Sequence, residues 1–227
     1  MKITLLDGPM GTQLIERGHA CPAPAWSAQP MMTTPEAVEQ IHKEYAKAGA
    51  VIHTTNTFRT RPEAVGDRWT ELTRNAVQMA ANAAKKHGRV AGAIAPIEDC
   101  YRPDLSPQNP GPAHAELAKV LAQSGADILL CETFPHISEA LAAVNAAVHT
   151  GVETWVSFTA GPNGDLLHPE AIRKGAQQAI EAGVDAVLVN CIPASQTHRF
   201  LEAISDLGVP FGAYANAGHP DEGLGWR

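Results

Sequence analysis

Aromatic residues make up only 5% of this 227-residue chain, and there are four cysteines, Cys21, Cys100, Cys131 and Cys191, none in a CxxC pair. Cysteines so few and so far apart exclude a disulfide framework and a local zinc knuckle. A metal site would have to be assembled from distant parts of the fold. Basic residues are also short: 17 Lys and Arg face 24 Asp and Glu, a net charge of −7, with no basic cluster. A nucleic-acid partner is therefore not expected. The longest apolar runs, such as Ile128 to Cys131 and Ala186 to Val189, are strand-sized, far below the roughly 18 residues of a membrane span. At the start, Asp7 cuts off the apolar stretch of Ile3 to Leu6, too early for a secretory signal. The expectation is a cytoplasmic protein without a membrane partner.

With 44% hydrophobic residues there is ample material for a core. Seven short β-rich runs are expected as strands: Ile3 to Leu6, Val51 to Thr55, Val90 to Ala95, Asp127 to Cys131, Thr154 to Phe158, Ala186 to Asn190 and Phe211 to Ala215. Between them lie helical patterns at Pro35 to Ala48, Trp69 to His87, Ala113 to Gln123, Ile137 to Val148, Pro169 to Ala182 and Gln196 to Leu207. Strand and helix alternating in this way imply parallel strands with right-handed crossovers, an α/β fold. Gly49, Gly125 and Gly183 each follow a helix and precede a strand, where a left-handed residue can end the helix. This weak repeat and polar residues at nearly every strand end favour a (β/α)8 barrel, whose active site lies on that rim, over a doubly wound sheet. The Pro-rich stretch from Arg102 to Pro112 reads as a long loop over the rim, and residues 1–227 read as one domain.

Taken singly, the strand-end residues are ambiguous. Asp7, followed by Gly8 and Gly11, could hold an ammonium group or merely cap a turn. Period two sends Cys131 and Glu132 to opposite faces. A Glu132 pointing into the barrel mouth would need a cation, from a ligand or from a neighbouring Arg or Lys. Asn56 and Asn190 could bind a ligand or satisfy loop backbone, and Cys191 could be a metal ligand or a small buried hydrophobe. No G-x-S-x-G elbow supports a serine nucleophile, and no late Lys or phosphate loop supports another barrel chemistry.

Together, Asp7-Gly8-Pro9-Met10-Gly11-Thr12, Trp26-Ser27-Ala28, Thr55-Asn56-Thr57-Phe58, Cys131-Glu132-Thr133 and Val189-Asn190-Cys191 resemble the homocysteine S-methyltransferase family, in order along almost the whole chain. The resemblance implies a (β/α)8 barrel with a catalytic zinc that binds the homocysteine sulfur as a thiolate, ready to attack a donor methyl. It implies that Cys191 is a zinc ligand and that Asp7 and Glu132 hold the homocysteine amino group. Gly8, Gly11 and Thr12 match backbone close to the amino acid, and Asn56 matches a polar residue of the same pocket. The family's other two ligands are adjacent cysteines on an eighth strand. Here the sequence stops at Arg227 after the seventh, and no adjacent pair exists. The two further cysteines, with the eighth βα unit, are expected beyond Arg227, the chain being a fragment of a longer enzyme. Closure by another subunit in a homo-oligomer, or loss of zinc, are the competing explanations. Cys100 and His219 lie near strand ends but lack the family's spacing. The expected partners are homocysteine and a small methyl donor, the latter met by aromatics such as Trp26 and Tyr101. The alternative function is a non-catalytic barrel that binds homocysteine or methionine without metal.

Overall fold

The computed structural model describes residues 3–84 and 88–216. Nine α-helices lie in the described residues: α1 (Met10–Glu16), α2 (Gln29–Thr33), α3 (Pro35–Lys47), α4 (Pro62–Val65), α5 (Trp69–Ala84), α6 (Gly111–Gln123), α7 (Ile137–Val148), α8 (Pro169–Ala182) and α9 (Ala194–Ile204). Six strands alternate with the longer helices: β1 (Ile52–Thr54), β2 (Arg89–Ile94), β3 (Ile128–Phe134), β4 (Glu153–Phe158), β5 (Ala186–Pro193) and β6 (Phe211–Asn216). They form one sheet in chain order, with β1–β2, β4–β5 and β5–β6 paired in parallel. This is an α/β fold, and parallel neighbours in sequence order are consistent with a partial (β/α)8 barrel.

The expected first strand differs. Only Leu6 makes a bridge, to Ile52, although Val51 N donates to Leu5 O and Asp7 N donates to Ile52 O in the parallel pattern. Ile3 is 84% exposed and Leu5 53%, so this segment lacks the two-sided burial that makes a continuous strand. Residues 217–227, including His219, and the end of the expected Trp69 to His87 helix lie outside the described residues.

The chain divides into two compact units, residues 1–94 with 117–129, and residues 95–116 with 130–227. In the first, α3 carries its apolar stripe at Val38, Ile41, His42 and Tyr45, the i, i+3, i+4, i+7 spacing of one helical face. Val38 and Ile41 pack with Leu14, Met31, Leu72 and Ala76 in a buried cluster. In the second, β3 and β5 bury long apolar runs, as expected for strands covered on both faces.

The glycine repeat has a structural meaning. Gly49, Gly125 and Gly183 have φ of +105°, +92° and +106°, the left-handed helix ending that a Cβ disfavours. After the last two, an aspartate clamps the preceding strand. Asp127 N donates to Val90 O and its carboxylate accepts from Val90 N, while Asp185 does the same with Thr154. Val51 occupies the equivalent place after Gly49 and provides no carboxylate.

Candidate functional site

In the second unit, the ends of β3, β5 and β6 carry a buried polar cluster. Glu132 is 8% exposed, and its Oε2 accepts from the Tyr214 hydroxyl at 3.0 Å. No Arg or Lys pairs with it among the described residues, so burial pushes its carboxyl up to about 7, against the opposing pull of Tyr214. A carboxyl kept this dry and without a protein cation favours its neutral form. Cys131, on the other face of β3, is fully buried and its thiol is pushed up by that burial.

Asn190 is the hub. Its Oδ1 accepts from Thr133 N at 3.1 Å and from the Ser157 hydroxyl at 2.7 Å, while its Nδ2 donates to Thr133 Oγ1 at 2.7 Å and to Cys191 Sγ at 3.3 Å. Two residues joined through this amide, Thr133 and Cys191, have left-handed backbones, with φ of +62° and +52°. That conformation is rare for any residue with a Cβ and more so for a β-branched one. The cost is compensated by the Asn190 bonds and by Thr159, whose hydroxyl donates to Cys191 O. The β5–β6 register also shifts between Asn190 and Pro193, an irregularity of the kind that re-aims a strand-end side chain.

Cys191 is partly buried. Burial and then Glu132 push its thiol up to about 12, against hydrogen bonds from Thr133, Tyr101 and Asn190. Tyr101, just before the Pro-rich loop, bonds Cys191, and burial pushes its phenol above the ordinary value. That loop is tied down by Glu139 on α7, which accepts from Ile97 N at 2.8 Å and from the Ser106 hydroxyl at 2.6 Å.

The first unit holds the other expected residues. Asp7 Oδ2 accepts from Thr54 N at 2.8 Å and lies 3.8 Å from His42 Nδ1. Gly8 and Gly11 are forced by close approach. A Cβ on Gly8 would stand 2.7 Å from the Tyr45 ring, and one on Gly11 would run into the Trp26 ring. Gly11 and Thr12 were expected in a turn and instead occupy the first turn of α1. Asn56 is buried and its Nδ2 donates to Ser27 O at 2.7 Å, fastening the loop of Trp26, whose ring meets Phe58 edge-on. The loop-anchoring role is thus filled.

The three-thiolate zinc set is not matched by the described residues. Their one cluster with metal-ligand proximity is Asp7, His42 and His53, so neither Cys191 nor Cys100 belongs to one. Sequence reasoning did not single out Tyr214, His42 and His53. Tyr214 shares a strand face with Gly212 by period two, but its partner Glu132 lies 82 residues away. His42 falls on the apolar stripe of α3, the available signal that it is buried.

Residues 4–227 match the family model described as homocysteine S-methyltransferase. The chain is 31% identical to the homocysteine S-methyltransferase of Escherichia coli (strain K12), over 95% of this chain and 78% of that protein. It is 28% identical to a mouse S-methylmethionine–homocysteine S-methyltransferase, over 78% of this chain and 48% of that one, and so spans about half its length. A crystal structure of the Escherichia coli homocysteine methyltransferase in metallated form superposes with a TM-score of 0.85 at 26% identity, covering 96% of this chain and 85% of that one. No helix among the described residues is long and apolar enough to cross a membrane. On the match over residues 4–227, the chain belongs to the homocysteine S-methyltransferase family.

Proposed function

We propose that this chain is the homocysteine-binding barrel of a methyltransferase that passes a methyl group to the homocysteine thiol and forms methionine. The observation that carries the reading is Glu132, a buried carboxylate without a protein cation, set beside Cys191 by the left-handed turns at Thr133 and Cys191. The α-ammonium of homocysteine is the cation this carboxylate lacks. It lowers the cost of ionising Glu132, and the Tyr214 hydroxyl holds the carboxylate in one orientation.

Asp7, with the Gly8 and Gly11–Thr12 backbone and Asn56, is assigned to the same amino acid by the family resemblance. Cys191 is assigned as one ligand of a zinc ion, while the family's two further ligands, adjacent cysteines, have no counterpart in residues 1–227. The metallated form of the Escherichia coli enzyme supports a metal in the family. The wide separation of the four cysteines in the sequence, with no CxxC pair, supports a cytoplasmic location. The methyl donor is a small cationic or neutral methyl compound, with Trp26 and Tyr101 the aromatics to test against it.

The decisive assay incubates the purified protein and supplied Zn²⁺ with homocysteine and, separately, S-methylmethionine, S-adenosylmethionine or betaine. Methionine formed with one donor and abolished by Cys191→Ser supports the reading. Homocysteine binding that a chelator leaves untouched, with no methionine from any donor, replaces it with the non-catalytic barrel. No homocysteine binding at all removes both.

A further inference from the structure

One buried serine in the second unit joins the two halves of the candidate site. Ser157 on β4 is fully buried, at 0% exposure. Its hydroxyl donates to Asn190 Oδ1 at 2.7 Å and also bonds the Tyr214 phenol. Asn190 leads on to Thr133 and Cys191, and Tyr214 leads on to Glu132. The side chains of Glu132, Tyr214, Ser157, Asn190 and Cys191 thus form one continuous chain across β3 to β6, all within that unit. Counting protons shows why Ser157 is its pivot. The Tyr214 phenol has one proton and gives it to Glu132 Oε2, so toward Ser157 its oxygen can only accept. Ser157 also has one proton, and it has two acceptors, Asn190 Oδ1 and the Tyr214 oxygen. Where that proton lies therefore affects both halves at once.

We infer that Ser157 is a positioning residue that couples the ammonium receptor to Cys191, so that a ligand held at Glu132 tightens the grip of Asn190 on Thr133 and Cys191. This coupling rests on the roles proposed above for Glu132 and Cys191. Hydrogen bonds in a chain polarise one another. While Tyr214 donates to a carboxylate without a cation, its oxygen is enriched in charge and competes well for the Ser157 proton. An ammonium on Glu132 draws that charge away, and Tyr214 still holds the carboxylate but accepts less well. The Ser157 proton then settles on Asn190 Oδ1, which keeps both of its donors, Thr133 N and Ser157. Cys191 and Thr133 have left-handed backbones, and this amide is what joins them. Binding of the amino-acid end of a substrate is in this way felt where its sulfur would be received.

The test reads the Asn190 side-chain amide by NMR while the protein is titrated to saturation with L-α-aminobutyrate, which has the ammonium and carboxylate of homocysteine and no sulfur. Calorimetry of the same titration establishes binding. Coupling predicts that the Asn190 Nδ2 proton signals shift in the unsubstituted protein, although the probe has no thiol to place at Cys191. Ser157→Ala abolishes the shift with the probe still saturating, and Ser157→Thr, which restores a hydroxyl, recovers it. Tyr214→Phe breaks the chain away from Asn190 and must also abolish the shift, which keeps the test decisive if Ser157→Ala fails to fold. A bound probe that leaves Asn190 unmoved overturns the coupling and leaves the ammonium role of Glu132 standing. An undiminished shift in Ser157→Ala also overturns it, since the probe then acts on Asn190 without Ser157. If neither the probe nor homocysteine binds, the role of Glu132 falls and the coupling falls with it.

Discussion

At the residue scale, burial without a counter-charge governs Glu132. Its carboxyl is raised to about 7 from an ordinary value near 4.5, so between those values the folded protein holds a proton that the unfolded chain has released. Stability of the ligand-free protein therefore falls as pH rises through this window, by about 3 kcal/mol in all. Glu132→Gln removes the effect: chemical denaturation at about pH 8 should find the variant more stable, while near pH 4 the two coincide. His42 works in the opposite sense. Its imidazole is depressed from 6.5 to about 4 by burial, so the protein loses stability as pH falls through that range, and His42→Gln should flatten that limb. Asn190 is costlier to lose, since Asn190→Ala strips partners from Thr133, Ser157 and Cys191 together. A loss of about 3 kcal/mol is expected in the same denaturation experiment.

Elements were more legible in the sequence than side-chain partnerships. The α7 and α8 boundaries coincide with the expected ones, and the glycine endings recur as expected, because periodicity and helix termination are local. The strap from Asp127 and Asp185 to the preceding strand was not seen, although both aspartates stand two residues after the glycine. Asp185→Ala should cost about 1–2 kcal/mol by removing a charge-assisted bond to Thr154 N, measurable as a lowered denaturation midpoint. Helix α1 was hidden because Gly8, Pro9 and Gly11 imitate a turn, whereas Gly11 is there to admit the Trp26 ring. Gly11→Ala should accordingly displace that ring and its loop, read as a change in tryptophan fluorescence, with a stability loss of about 1–3 kcal/mol. Cys191 could be found through the family resemblance, but its left-handed backbone and its Asn190 bonds depend on residues far away in the chain. So does the Tyr214–Glu132 bond.

At the scale of the whole molecule, sequence order in a parallel sheet and the match over residues 4–227 place the chain in a family whose chemistry is methyl transfer to homocysteine. The central claim is that Glu132 receives the homocysteine ammonium, and calorimetry of L-homocysteine binding at several pH values, in reducing buffer, tests it directly. The account predicts affinity that rises between about pH 6 and pH 8 as Glu132 ionises, with proton release on binding, and a Glu132→Gln variant that binds weakly and without that pH dependence. A Glu132→Gln variant that binds homocysteine as tightly as the unsubstituted protein at every pH would contradict it.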